Sequence, residues 1–346
     1  MTELTREAIA AVDSAGMLGD VLDQPAQLTD ALWRAESAHV PRADAPGGLL
    51  VCGMGGSAIG GDLAAAAIGS RAARPIQVVR EYTLPPWFRG DGLVLCASYS
   101  GDTEETLACF DEAGAAGAAC VAVTTGGSLA ERARAAGAPV IGVPGGMRPR
   151  AAVAYMTVAA LECAAACGAA PPLREEVEAA SPLLSELAAE WGPDAPPDST
   201  AKALAARLHG TVPVVFGAGL TEPVAARWKT QLNENPEVPA FAATLPEADH
   251  NEICGWERAS ELAPLSAVFL EDPGVHPRTL RRIELTARLL EPGAAAVERV
   301  VTRGETPLER VLSLVLLGDL VSIYLAALAG IDPTPMEAIE RLKSRL

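Results

Sequence analysis

Short apolar runs alternate with segments of helical periodicity along most of this chain. Runs of four to six apolar residues bounded by turn residues are typical of strands buried on both faces, and parallel strands need helical crossovers between them. This rhythm therefore predicts an α/β fold with a doubly wound parallel sheet. The runs in the first half are Leu49–Met54, Ile76–Arg80, Leu93–Ser98, Cys120–Thr124 and Val140–Val143.

The rhythm resumes after a segment of linker composition, residues 192–200, which is rich in Pro and Asp. Further strands are predicted at Val212–Phe216, Ala267–Glu271 and Val297–Thr302. The first strand of each half ends in Gly-x-Gly, at Gly53 and at Gly217, and leads into a helix. We therefore expect two doubly wound α/β domains that arose by duplication.

Helical periodicity at Thr5–Val12 and Thr29–His39 predicts an extension before the first domain. The expected organisation is a helical extension (1–44), a first domain (45–191), a linker (192–200) and a second domain with a C-terminal helix (201–346).

Charge and cysteine usage exclude several classes of protein. The chain carries 27 Lys and Arg against 44 Asp and Glu, a net charge of −17, which disfavours nucleic acid as a partner. The seven cysteines are scattered and several lie inside predicted strands, which favours buried free thiols over disulfides or a metal site. The start of the chain lacks the plan of a signal peptide, and we expect no bilayer-spanning segment, no metal and a cytoplasmic location.

The first motif with chemical content is the glycine-rich segment 53–62 after the first strand. Glycines let the backbone approach a ligand, and the helix that follows offers free N–H groups to an anion. The same segment satisfies a relaxed dinucleotide fingerprint, with Glu81 where an acid that binds ribose would stand. A tight turn without a ligand is the third interpretation of this motif.

The second motif is the hydroxyl-rich segment 98–106 after the third strand. Ser98, Ser100 and Thr103 would leave the sheet at the same edge as Ser57, so their hydroxyls could surround a phosphate group. A dinucleotide site has no need of this second loop. The spacing of Asp102 and Glu105 fits a helix capping pattern, which indicates a structural role for these acids and for Glu104.

The third candidate is the segment Asn233-Glu234-Asn235, followed sixteen residues later by His250. Glu234 lies at the end of a helix predicted from Glu222 to Leu232. A carboxylate and an imidazole are suitable groups for moving a proton between C1 and C2 of a sugar and for opening its ring. Taken alone, a Glu at a helix end is more often a solvated surface residue.

Together these motifs make the chain recognisable. It resembles the bifunctional phosphoglucose/phosphomannose isomerase family of the sugar isomerase (SIS) domain superfamily, from about residue 45 to the end. The matching segments are Gly53–Asp62, Ser98–Leu107, Asn233–Asn235 and Pro246–Glu252.

The resemblance implies an aldose–ketose isomerase that interconverts glucose 6-phosphate, mannose 6-phosphate or both with fructose 6-phosphate through a cis-enediol. It implies a dimer that needs no metal or cofactor. The roles it implies are phosphate binding by Gly56, Ser57, Ser98, Ser100 and Thr103, proton transfer by Glu234, stabilisation of the enediolate by Arg150, ring opening by His250 of the partner subunit, and assistance at the ring oxygen by Lys343.

Some alternatives stay open. Arg148 competes with Arg150, and Lys343 also fits a cation in the last turn of a terminal helix. The second half lacks a counterpart of the hydroxyl-rich loop, so we expect one active site per chain, with the phosphate in the front half and Glu234, His250 and Lys343 delivered from the rear half.

A non-catalytic sugar-phosphate-binding SIS protein and a nicotinamide-dependent dehydrogenase are the other interpretations. The dehydrogenase would leave the second and third motifs without a function.

Overall fold

The computed structural model describes residues 4–345, which form two compact units. The four-stranded unit comprises Met1–Leu22, Ser185–Arg303 and Leu312–Leu346, and the five-stranded unit comprises Asp23–Leu184 and Gly304–Val311. The domain bounds given above stay a prediction.

The elements follow the expected alternation of strands and helices. In chain order they are α1 (Arg6–Ala10), α2 (Met17–Leu22), α3 (Gln24–Ser37), β1 (Leu49–Gly53), α4 (Gly55–Ile68), β2 (Ile76–Val79), β3 (Leu93–Ala97), α5 (Glu104–Ala115), β4 (Ala119–Thr124), α6 (Gly127–Ala135), β5 (Val140–Gly142), α7 (Val153–Ala166), α8 (Arg174–Trp191), α9 (Thr200–Leu208), β6 (Val212–Gly217), α10 (Glu222–Glu234), β7 (Phe241–Thr244), α11 (Ala259–Leu262), β8 (Leu265–Glu271), α12 (Pro277–Leu290), β9 (Ala296–Val301), α13 (Pro307–Ala329) and α14 (Glu337–Lys343).

The five-stranded unit contains a parallel sheet in the order β2-β1-β3-β4-β5. All five strands predicted in this half are present, with ends that differ by at most one residue. Strands β1 and β3 are neighbours, with Cys52 opposite Cys96 and Gly53 opposite Ala97. The two loops that carry the first and second motifs therefore leave the same edge of the sheet side by side.

Alternate residues of these buried strands pack against α5 and α6. Cys52, Cys96 and Cys109 lie in this core together with Phe110 and Leu129. Burial raises the pKa of the Cys120 thiol to about 11, which keeps it protonated and unreactive. The cysteines of the described residues are free, as predicted, although Cys254 is exposed.

The four-stranded unit repeats this topology. Its parallel sheet has the order β7-β6-β8-β9, so β6 and β8 correspond to β1 and β3. Phe216 and Phe269 are register partners on these two strands and stack with their ring centroids 4.7 Å apart. The duplicated, doubly wound fold is confirmed, and the edge strand β7 is an addition that the sequence analysis missed.

Helix α13 corrects the expectation that no segment could span a bilayer. Its 23 residues are long and apolar enough to do so, but 94% of its most apolar window is buried inside the protein. The one acid in the middle of this helix, Asp319, accepts hydrogen bonds from Arg227 (Nη2–Oδ2 2.6 Å) and from Gln231 (Nε2–Oδ1 2.9 Å) of α10. The helix is therefore a core element of the protein.

Replacing Asp319 tests this buried ion pair, whose two side chains are each 1% exposed. Asp319→Ala leaves Arg227 charged and buried, so we expect the free energy of unfolding in urea to fall by about 3–5 kcal/mol. The control is Glu261→Ala, which breaks the exposed pair with Arg258 and should cost less than about 1 kcal/mol. Equal losses in the two variants would contradict a stabilising role for the buried pair.

Candidate active site

Ser57 lies in the first turn of α4, directly after β1. Its side chain is buried, and its Oγ accepts a hydrogen bond from the backbone N–H of Tyr99 (3.1 Å). The loop after β1 is thus bonded to the loop after β3. Because α4 has 14 residues, its N-terminal N–H groups offer a favourable environment to an anion.

The hydroxyl-rich loop is held together by its own side chains. Ser98 is 1% exposed, and its Oγ lies 2.8 Å from Oγ1 of Thr103 and accepts from the N–H of Gly101 (3.0 Å). Ser100 is exposed, and its Oγ accepts from the N–H of Asp102 (3.2 Å). The structure therefore brings Ser57, Ser98 and Thr103 to one place, with Ser100 at the surface of the same loop.

Gly101 allows this loop to pack tightly. Its φ is +81°, and an added Cβ would lie 2.0 Å from the carbonyl oxygen of Gly126. A side chain at this position would be strained in conformation and would collide with backbone atoms.

Asp102 has a structural role, but not the one expected. Thr103, rather than Asp102, is the N-cap residue of α5. Asp102 instead accepts hydrogen bonds from the backbone N–H (2.9 Å) and the Oγ (2.7 Å) of Ser128 at the start of α6. Both bonds lower the pKa of the Asp102 carboxyl, and the bond from the backbone N–H of Ser128 has the larger effect. The carboxylate is thus bonded to the start of α6.

The segment after β5 lies against the start of α4. A Cβ on Gly56 would stand 2.9 Å from Cα of Arg150 and 3.0 Å from the carbonyl oxygen of Pro149. Arg150 is buried, whereas Arg148 is half-buried. The contact requires glycine at position 56 and fixes the backbone of Arg150 beside the predicted phosphate loop.

Glu234 is the last residue of α10, two residues beyond the predicted helix end, and it is half-buried. Each flanking asparagine is bonded to a different segment of the four-stranded unit. Asn235 donates from Nδ2 to Oγ of Ser322 in α13 (2.8 Å), and Asn233 donates from Nδ2 to the carbonyl oxygen of Val238 (3.0 Å). The two asparagines therefore hold the backbone on both sides of Glu234.

His250 is exposed and lies on a segment that is tied to α12. The neighbouring Asp249 accepts from Nη1 of Arg282 (3.0 Å) and from Oγ1 of Thr286 (2.7 Å). Further along the segment, the side chain of Trp256 lies against Phe216, with ring centroids 6.0 Å apart. The backbone around His250 is thus held in place while its imidazole faces solvent.

Lys343 ends α14, which is exposed along its described residues. The structure therefore gives Lys343 the position of a cation in a last helical turn, and its role at the ring oxygen stays a prediction.

The corresponding edge of the four-stranded sheet has a different chemistry. Thr221 Oγ1 accepts from the N–H of Ala218 (2.9 Å), in the loop that corresponds to the first motif. Asp272 follows β8 where Ser98 follows β3; it is buried and accepts from Oγ1 of Thr302 (3.1 Å). The buried carboxyl group of Asp272 makes this edge acidic, which disfavours an anion.

Histidine, cysteine and carboxylate side chains are not clustered for metal binding in the part of the chain that the structure describes. No group of three or more of them within residues 4–345 is arranged to hold an ion.

Two parallel sheets of matching topology, with a hydroxyl-lined loop at one edge, define a protein of the sugar isomerase (SIS) domain class. Residues 197–346 match the family described as the bacterial phospho-glucose isomerase C-terminal SIS domain. A glucose-6-phosphate isomerase-like protein from Thermus thermophilus has the same fold, with a TM-score of 0.65 and 22% identity over the full length of both chains.

Curated relatives identify the family. The bifunctional phosphoglucose/phosphomannose isomerase of Caldicellulosiruptor bescii is 38% identical over 301 residues, which cover 86% of this chain and 89% of that protein. The enzyme of the same name from Aquifex aeolicus is 37% identical over 300 residues, 86% of this chain and 90% of that protein. The chain belongs to the bifunctional phosphoglucose/phosphomannose isomerase family.

Gly56→Ala tests the tight contact between α4 and the segment of Arg150. The new methyl group meets backbone atoms, so we expect the free energy of unfolding to fall by about 1–3 kcal/mol and the affinity for sugar phosphate to weaken. Gly145→Ala is the control, because a Cβ there has no atom within 4 Å, and it should change stability by less than about 0.5 kcal/mol. The measurements are urea denaturation and calorimetric titration; equal stability of both variants would refute the close approach.

Proposed function

We propose that this protein interconverts glucose 6-phosphate and mannose 6-phosphate with fructose 6-phosphate. The proton moves between C1 and C2 through a cis-enediol. The observation that carries the proposal is the cluster of Ser57, Ser98 and Thr103 beside the start of α4, in a chain of this family. The cluster offers neutral hydroxyl and N–H donors, which suit a phosphate dianion.

The phosphate group is held by Gly56, Ser57, Ser98, Ser100 and Thr103. The hydroxyls of Ser98 and Thr103 share one hydrogen bond, which uses only one of their two protons, so a phosphate oxygen would accept the other. The N–H groups in the first turn of α4 add to this, because they place partial positive charge beside the anion.

Glu234 is the base that removes the proton from one carbon and returns it to the other. A base of this kind must be held still, because proton transfer needs hydrogen-bond distance to the carbon-bound proton. The bonds of Asn233 and Asn235 support this assignment, since they fix the helix end that carries the carboxylate. Arg150 stabilises the negative charge on the enediolate; its burial and its contact with Gly56 favour it over Arg148.

His250 opens the sugar ring and comes from the partner subunit of a homodimer, while Lys343 assists at the ring oxygen. The exposure of His250 on a firmly held segment supports this, because a group donated to another subunit must face outward. We place the protein in the cytoplasm; the burial of α13 bears only on membrane insertion, which it disfavours.

The first experiment supplies fructose 6-phosphate in the presence of a chelator and follows glucose 6-phosphate and mannose 6-phosphate together. The parent protein should form both. Glu234→Gln removes the base but keeps the shape, so we expect kcat to fall by about 10²–10⁴-fold while substrate still binds.

Glu237→Gln is the matched control, since it makes the same chemical change at an exposed residue three positions further on. It should leave kcat unchanged. The assignment of the base is wrong if Glu234→Gln turns over as fast as the parent.

Mixed dimers test the donation of His250. Chains with Glu234→Gln and chains with His250→Ala are each expected to be inactive as homodimers. After unfolding and refolding as an equal mixture, activity should return to about a quarter of the parental value, because about half of the dimers are mixed and one of their two sites is complete. Histidine that acted within its own subunit would give no recovery.

A further inference from the structure

Tyr99 lies between two serines of the hydroxyl-rich loop, yet its side chain is directed into the protein. It is 9% exposed, and its hydroxyl donates to the carbonyl oxygen of Pro144 (3.0 Å) and accepts from the N–H of Met147 (3.0 Å). Both partners belong to the segment between β5 and Arg150. The phenol therefore bonds the predicted phosphate loop to the segment that leads to the arginines.

The backbone of Tyr99 makes two further connections. Its N–H donates to Oγ of Ser57, and its carbonyl oxygen accepts from the N–H (3.0 Å) and the Oγ1 (2.9 Å) of Thr125, after β4. One residue thus joins the loops that follow β1, β4 and β5 to its own loop after β3. Each of these loops leaves the same edge of the parallel sheet.

The segment of Arg150 is held on two of its sides by contacts with the loops after β1 and β3. Its backbone touches Gly56 on one side. On the other side, the chain reaches Arg150 three residues after Met147, whose N–H is held by the Tyr99 hydroxyl. Removal of that hydroxyl would leave the Met147 N–H without this acceptor and loosen the chain three residues before the guanidinium.

We propose that Tyr99 is a positioning residue for the isomerase reaction. Through its bonds to Pro144 and Met147, the Tyr99 hydroxyl sets the position of Arg150 relative to the bound phosphate. This rests on the proposed function. Other side chains contact the phosphate and hold the substrate in the ground state. Arg150 instead stabilises the negative charge of the enediolate, which develops only toward the transition state. Loss of the Tyr99 hydroxyl should therefore act on kcat and leave KM nearly unchanged.

Tyr99→Phe removes only the hydroxyl. We expect kcat for fructose 6-phosphate to fall by roughly ten- to a hundred-fold, with KM within about two-fold, because a small displacement of a catalytic group is costly. The matched control is Tyr155→Phe, which removes another buried hydroxyl of the same unit, one that donates to Oδ2 of Asp30 (2.9 Å). The control should keep kcat within about two-fold of the parent.

A double-mutant cycle shows whether Tyr99 acts through the arginine. In an Arg150→Ala background, Tyr99→Phe should cost less than about two-fold in kcat, because the group it positions is gone. Full additivity of the two losses would overturn the proposal, as would an unchanged kcat in Tyr99→Phe alone.

Hydrogen exchange gives an independent result that does not require activity. The peptide containing Met147 should exchange faster in Tyr99→Phe than in the parent and in Tyr155→Phe, and equal protection in all three would overturn the proposal. A parent chain inactive on every hexose 6-phosphate would instead refute the proposed function, while the exchange result would still test the bond.

Discussion

The buried ion pair of Arg227 and Asp319 fixes how α10 packs against α13. Arg227 and Gln231 of α10 and Asn235, which directly follows the helix, recur every four residues on one face, and they bond to Asp319 and Ser322 of α13. An apolar contact between two helices tolerates rotation and sliding, but charged and amide groups buried without water must meet their partners. This line of hydrogen bonds therefore fixes the rotation of α10, and with it the direction of the helix end at Glu234.

Most of the fold was predictable, since burial on both faces imposes a simple pattern on parallel strands. Leu93–Ala97 is apolar throughout and was placed within one residue. Strand β7 was missed because Phe241–Thr244 is short, rich in Ala and half exposed, so only its pairing with β6 makes it a strand. The apolar run of α13 was overlooked, although its length and composition alone meet the criterion for a spanning helix. That the helix is buried in the protein was not predictable from local sequence, because the partner of Asp319 lies 92 residues away.

The candidate site was predictable where topology brings loops together. Ser57 and Ser98 follow neighbouring strands, so their proximity follows from the order of the sheet. The bonds of Asp102 to Ser128 and of Tyr99 to Met147 join residues 26 and 48 positions apart, and a local pattern carries no trace of them. The spacing of Asp102 and Glu105 suggested a cap on α5, but the start of α6 offered the same carboxylate better-placed donors.

The two sheet edges show how duplicated halves diverge. In the four-stranded unit the N–H of Ala218 is satisfied by Thr221, and a buried acid, Asp272, stands where Ser98 stands in the other half. Both loops are closed by hydroxyl groups of their own side chains, so the halves differ in the residue that follows the central strand rather than in how the loop is held. The same topology therefore carries two chemistries at equivalent edges, with neutral hydroxyl donors in one half and a buried carboxyl group in the other.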